Sequence, residues 1–328
     1  MKKLSIVVVA MLVLFGFVSS GFAAVEIRIG HSGSERTLLH RAFVVFQDEV
    51  QRNSNGEIVA TIFPNAQLGG DRELQEAVQM GDLTMTGSST APLMAFEPRL
   101  GVFTIPFIFP NVEQGYEILD GPFGRKMLDI MADQGFKALG FLESNAYRDL
   151  MTRNTRVVTP ADLSGIKIRT MQNPMHIALW QAFGANPQAI SFAELYTALQ
   201  QGTVDAMESP LELLVSQRFY EVQGVYVTTR HLFQVGMATM NIDFYYALSD
   251  AHRQIVNDAM RTAVLFQRDT AAQEHDQDLQ TLRDNNVIIV ELTPEQRNAF
   301  RDLVDPVIDL VRQEAGSELV DELLSLTR

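Results

Sequence analysis

Arg169 stands in the short apolar run Ile166-Lys167-Ile168-Arg169-Thr170, near the start of the segment LSGIKIRTMQNPMHIALWQAFGANPQAISFAELYTALQQGTVDAMESP, Leu163 to Pro210. A strand over this run puts Ile168 and Arg169 on opposite faces, one toward a core and the other toward whatever lies across it. A guanidinium so placed suits a carboxylate, which its planar fork binds through two parallel hydrogen bonds. The same spacing also fits a solvated arginine or an internal ion pair. No catalytic constellation accompanies it in sequence. Gly30-His31-Ser32-Gly33-Ser34 matches part of a nucleophile elbow but lacks the final glycine of G-x-S-x-G. His275 with Asp276 and Asp278 lies on a charged helical stretch, where that spacing does not converge into a metal cage.

The elements that must position such residues alternate. Val25–Gly30 reads as a strand, Leu38, Leu39, Ala42, Phe43, Phe46 and Val50 recur at helical spacing, and Ile58–Phe63 returns to a strand pattern. Asp71–Met80 follows as a helix, Leu83–Gly87 as a strand, Phe123–Gln134 as a helix and Phe136–Leu142 as a strand. Alternation of this kind predicts an α/β fold, whose ligands sit outside the carboxyl ends of the strands. Those ends are polar here: His31-Ser32-Gly33-Ser34 follows the first strand and Gly87-Ser88-Ser89-Thr90 the third. Each serine alone also fits an ordinary turn. Thr159-Pro160-Ala161-Asp162 starts a short helix before the arginine strand, and Ser191-Phe192-Ala193-Glu194 starts another, with Phe192 in its first turn, facing either core or cleft. Ser209-Pro210 reads as the cap of the next helix, and Asp250–Asn285 as a long charged helix.

The amino terminus predicts export. Lys2 and Lys3 precede an apolar run from Leu4 to Val18, and small residues follow to Ala24, the layout of a secretory leader cleaved after Ala23. A retained anchor is the alternative, but the run is shorter than the ~20 residues a spanning helix needs. With no cysteine among 328 residues, disulfides and thiolate chemistry are excluded. A hydrophobic content of 46% supports roughly two domains' worth of interior. With 26 basic against 40 acidic residues the formal net charge is −14, which disfavours nucleic acid as a partner. A small anion then requires a local cluster of arginine that overrides the global field.

Several segments together resemble a known family. SGIKIRT, ALWQAFGANPQAISFAELYTALQQGTVDAMESP and RFYEVQGVYVTTRH are similar to the extracytoplasmic solute-binding subunits of tripartite ATP-independent periplasmic (TRAP) transporters, dicarboxylate-binding type. NSNGEIVATIFPNAQLGGDRELQEAVQMGDLTM, IPFIFPN and DGPFGRKML agree with it, so the likeness runs through nearly the whole mature chain.

The resemblance implies a two-lobed α/β periplasmic-binding-protein-like fold with mixed sheets, a hinge cleft and a long C-terminal helix. Residues 24–146 with about 233–270 then form the first lobe, and 147–232 with about 271–328 the second. It implies capture of an organic acid and its delivery to membrane-embedded permease subunits driven by an ion gradient, by a periplasmic monomer with no cofactor, no metal and no enzymatic activity. Arg169 takes the position of the arginine that clamps the carboxylate, and Arg148 in NAYRDL that of an assisting one. Phe192 lines the cleft; Ser32 or His31, Ser88, Ser89 and Asp71 are the first-lobe contacts, and Gln234 is a further candidate. Where the family usually reads G-Q-E-N-P, this chain has Ser209 in place of the asparagine, a shorter group for which direct contact, a bridging water and mere helix capping all remain open. Two arginines suit a C4-dicarboxylate, while the serines and Asp71 suit the hydroxyls of a uronic or aldonic acid. A ligand-sensing partner of a membrane receptor has the same features, and an exported lyase or hydrolase is the remaining class.

Overall fold

Alternating burial along Val25–Gly30 (β1) marks an interior strand of a first sheet, with Ile27 and Ile29 fully buried. It pairs in parallel with Ile58–Phe63 (β2) and with Met85–Ser89 (β3). The computed structural model describes residues 24–142 and 147–327. The leader expected at 1–23 lies outside the described residues, as does residue 146, where the first lobe is expected to end. The helix Leu38–Asn53 buries Leu38, Ala42, Phe43, Phe46 and Val50 on this sheet, and Thr37 caps it by accepting from His40 N–H. Phe136–Leu142 (β4) lies at the far edge.

A second sheet begins with Tyr147–Thr152 (β5), Lys167–Thr170 (β6), Asn186–Ala189 (β7) and Ala206–Pro210 (β8). Val225–Phe233 (β9) belongs to it, while Gly236–Asn241 (β10) returns to the first sheet, and Ile288–Val290 (β11) closes the second. The strand orders are β2-β1-β3-β10-β4 and β11-β9-β5-β8-β6-β7. Each sheet holds parallel and antiparallel pairs, so the fold is the mixed α/β arrangement with two lobes. The chain crosses between sheets at β4 to β5 and again at β9 to β10, where only Gln234 and Val235 intervene. Gly236 sits at that second crossing, and a Cβ there would lie 2.4 Å from the Leu142 carbonyl oxygen. Only glycine lets the start of β10 lie so close to the end of β4.

The helix Asp250–Asp284 runs from one lobe to the other, about 50 Å at 1.5 Å per residue. Val256, Ala259, Met260 and Ala263 pack with Phe43 and Phe46 of the first lobe, and Leu282 with Met151 and Tyr226 of the second. The last helices, Asp305–Ala315 and Ser317–Leu326, bring Val311, Leu319 and Leu323 into a core shared with Leu100, Met127 and Phe141.

Three expectations shift. The third strand is Met85–Ser89, so Ser88 and Ser89 are its last residues, paired with Met237 and Gly236, and not a turn beyond it. The Phe123–Gln134 helix divides into Pro122–Asp129 and a 3₁₀ turn at Ile130–Gln134, which Gly135 ends at φ 83°. Ser209 lies in β8, and the helix after it starts at Leu211 with no side-chain cap. Proline at the junction supplies a fixed φ of about −65°, so no hydroxyl cap is needed there.

Candidate functional site

Between the two sheets lies a cavity of about 80 Å³, room for several water-sized groups. Arg148, Arg169, Phe192, Ser209 and Gln234 line one side, and Ser32, Asp71, Ser88 and Ser89 the other. Nine of the ten residues expected from sequence therefore meet at one place.

The second-lobe side is built around Glu208, which is fully buried on β8. Its carboxylate accepts from Arg148 Nε and from Arg148 Nη2, the latter at 3.0 Å, while the Glu208 carbonyl accepts from the same Nη2 at 2.8 Å. Arg148 Nη1 donates to Gln234 Oε1 at 2.5 Å. His231 Nε2 lies 3.3 Å and His176 Nδ1 3.5 Å from the Glu208 carboxylate. Burial alone would push Glu208 up, but Arg148 and the two imidazoles hold it well below the usual carboxylate range. His231 reaches this site because β9 is bulged: Leu232 pairs with Arg148 but Val227 with Leu150, leaving Thr228 to His231 opposite Asp149. Asp149 fixes the bulge by accepting from Tyr226 Oη at 2.5 Å and from Arg230 N–H at 2.8 Å, with Arg230 in the left-handed region at φ 46°.

Arg169 differs. On β6, between β7 and β8, its side chain is 2% exposed, and Nε donates to the Ile190 carbonyl at 2.8 Å. The guanidinium lies 5.9 Å from the Phe192 ring centre. Its two terminal nitrogens have no hydrogen-bond partner among the described residues. Burial lowers Arg169 to about 10, offset in part by Glu208 and Asp71. It therefore remains a cation at neutral pH, with its fork directed at no protein carboxylate, and taking such a charge out of water costs several kcal/mol unless an anion meets it.

The first-lobe side offers hydroxyls and one acid. Asp71 opens the helix Asp71–Met80 and accepts from Ser32 Oγ at 2.5 Å. Burial pushes its carboxyl up, against the pull of Ser32 and Arg169. Ser88 is engaged twice, donating to the Ser89 carbonyl and accepting from Gln75 Nε2 at 3.2 Å. Ser89 accepts from Ala91 N–H at 3.3 Å, which leaves its own hydroxyl proton free. Ser209 Oγ has no hydrogen-bond partner among the described residues and faces the cavity.

His31 is the exception. It is fully buried, with Nε2 3.0 Å from His40 Nδ1 and its ring against Phe43, and it does not line the cavity. Alternation explains this, since the residue after β1 turns toward the helix Leu38–Asn53 and its successor Ser32 toward the cleft. Burial lowers His31 to about 3, so it is a neutral core group. With Ser32 donating to Asp71, the Gly30–Ser34 fragment assembles no serine–histidine pair.

Sequence reasoning missed Glu208, although it lies in the quoted AMESP run, because a buried acid whose partners come from distant segments has no local signature. It also missed Gln267, a 1% exposed amide lining the cavity from the long helix. A polar residue on that helix's apolar seam was the available signal. Among the described residues, no group of three or more His, Cys, Asp or Glu could hold a metal ion.

Comparison with known proteins gives a consistent result. The profile of bacterial extracellular solute-binding protein family 7 matches residues 29–314. The 2,3-diketo-L-gulonate-binding periplasmic protein YiaO of Escherichia coli (strain K12) is 31% identical over 289 residues, 88% of this chain and 87% of that one. The sugar acid binding protein DctPAm of Advenella mimigardefordensis strain DPN7T, solved in complex with galactonate, superposes with a TM-score of 0.90 at 30% identity, over 93% of this chain and 98% of that one. A TRAP periplasmic solute binding protein of Sulfurospirillum deleyianum DSM 6946, solved with succinate bound, gives a TM-score of 0.88 at 28% identity, over 93% of this chain and all of the other.

Proposed function

The chain belongs to bacterial extracellular solute-binding protein family 7, a family of transport proteins, and from that premise we propose that it captures an organic acid in the cavity between its lobes and hands it to a TRAP permease. One observation carries the reading: Arg169 is a buried guanidinium whose terminal nitrogens have no hydrogen-bond partner among the described residues, beside an Arg148 that has several. The substrate carboxylate takes those nitrogens through two parallel hydrogen bonds, with the Phe192 ring against the other face of the fork. Arg148, neutralised by Glu208, adds a donor but little net charge.

Charge matching favours a monoanion. Arg169 is the one cation of the lining without an ionic partner, and Asp71 lies on the opposing side, where a second substrate carboxylate would meet it. Hydroxyls suit that side better, donating to Asp71 and exchanging hydrogen bonds with Ser89 and Ser209. A sugar acid of the aldonate or uronate type is thus the first reading, in keeping with the galactonate of the Advenella protein. A C4-dicarboxylate is the second, favoured by the upward shift of Asp71, since a protonated carboxyl there would donate to a second carboxylate. Export to the periplasm and a two-lobed closing movement belong to the same proposal.

The test is a thermal-shift screen of the mature protein against galactonate, erythronate, galacturonate and succinate, followed by calorimetry. A ligand of the folded form raises Tm by mass action. Binding of a sugar acid that Arg169→Ala abolishes supports the reading, and no response to any carboxylate would overturn it.

A further inference from the structure

At the rim of the cavity the two lobes meet through bonds in which no ligand group takes part. The second-lobe helix Leu211–Ser216 ends against the start of the first-lobe helix Leu38–Asn53. Glu212, 3% exposed, reaches across, and its Oε1 accepts from Leu38 N–H at 2.9 Å. Leu38 is the first residue of its helix, so this amide has no partner within the helix itself. On either side, Arg36 Nε donates to the Ser216 carbonyl at 2.8 Å, and Gln217 Nε2 to Ser34 Oγ at 3.2 Å. Glu212 lines a separate groove and not the cavity.

We infer that Glu212 is a closure residue: it supplies from the second lobe an acceptor for Leu38 N–H, an amide that the Thr37 cap leaves unpaired, and so raises affinity for the ligand without touching it. The inference rests on the two-lobed capture proposed above. When the lobes part, the Leu38 amide and the carboxyl both return to water, so the bond counts toward the closed form alone. A carboxylate at a helix N-terminus also gains from the helix dipole.

The setting makes closure sensitive to pH. Arg36 and Arg41 face the Glu212 groove from the first lobe, Arg218 and Tyr220 from beyond its own helix, and Glu274 and Asp278 from the long helix. Arg41 is committed to Glu274, with bonds of 2.9 and 2.6 Å. Burial pushes the Glu212 carboxyl up to about 7, although Leu38 N–H and Ser216 pull the other way. In the open form it returns toward the ordinary carboxylate range. The closed form therefore holds the proton more tightly; closure gains as pH falls through about 7, and the gain is lost above it. Asp71, also raised, responds in the same direction, so only the difference between wild type and a Glu212 variant reports on Glu212.

The experiment compares wild type, Glu212→Ala and Glu212→Gln by calorimetry with galactonate or succinate, whichever binds, at pH ~5.5 and ~8.5 on either side of neutrality. Glu212→Ala should bind about tenfold more weakly at pH ~5.5, as expected for a lost bond to a helix amide, and the deficit should shrink at pH ~8.5, where closure buries an ionised carboxyl. Glu212→Gln keeps an acceptor for Leu38 and should keep most of the affinity, while its pH dependence flattens relative to wild type. Equal affinities in all three proteins, or a pH dependence unchanged in Glu212→Gln, would overturn the inference. If no acid binds wild type, the proposed function fails on its own, and closure is then read without ligand. The cysteine-free chain accepts spin labels at Gln51→Cys and Gln201→Cys, and identical interlobe distance distributions with and without Glu212→Ala would sink the inference alone.

Discussion

The cavity wall that carries Arg148 and Arg169 is held by buried ionic groups, whereas the wall opposite presents Ser32, Ser88, Ser89 and Asp71 held by hydrogen bonds within the first lobe. The first wall is expensive to build. Glu208, Arg148, His176 and His231 all leave water, and each is tolerable only because the others are present. The second wall costs little, since neutral hydroxyls lose far less than charges on leaving water and Ser32 and Ser88 find partners within the first lobe. Under the proposed function, the ionic wall fixes what class of group enters and the hydroxyl wall adjusts to what that group carries.

The contrast can be broken most severely at Glu208. Glu208→Ala leaves Arg148 buried without its counter-charge and should cost about 3–5 kcal/mol of folding stability, read from urea denaturation. A loss below about 1 kcal/mol would mean that the ionic wall is not what holds this lobe. Arg169 should behave in the opposite way. Arg169→Ala removes a buried cation with no protein carboxylate against it, so stability should hold or rise while affinity falls by about 2–5 kcal/mol in calorimetry. Arg169→Lys, which keeps the charge and loses the fork, should cost about 1–3 kcal/mol of affinity.

On the opposite wall the expected effects are smaller and concern selectivity. Asp71→Asn keeps an acceptor for Ser32 and removes the negative charge, so the ratio of succinate to galactonate affinity should rise by about tenfold, close to 1.4 kcal/mol. An unchanged ratio would remove the argument for a monoanion. Ser209→Ala should cost about 0.5–1.5 kcal/mol of affinity, and Ser88→Ala less than that, because Ser88 is already engaged by Gln75 and by the Ser89 carbonyl.

Much of the architecture could be read from residue order. β1, β2, β4 and the helix Asp71–Met80 have the limits that period and punctuation predict, because each carries a clear apolar face and a local stop. Arg169 opposite Ile168 follows from strand alternation alone. Other features depend on distant partners. Ser88 and Ser89 read as a turn but extend β3, since β10, some 150 positions later, supplies the pairing. Ser209 read as a helix cap lies in a strand for a similar reason, with Asp149 of β5 opposite it. His31 looked equivalent to Ser32, and only the position of Phe43 and His40 separates a core imidazole from a cleft hydroxyl. Glu208 was invisible because its three partners, Arg148, His176 and His231, come from three separate places in the chain.

Gln234 occupies one of the two residues that join β9 to β10, and it also holds Arg148. A rotation of one lobe against the other must bend the very link that carries this amide. The joint is therefore not a passive pivot set apart from the recognition chemistry. Under the proposed capture, any swing of the lobes is felt by Arg148 through its Nη1 bond, and any pull on Arg148 is felt at the joint, so the angle between the lobes and the occupancy of the cavity share one mechanical element.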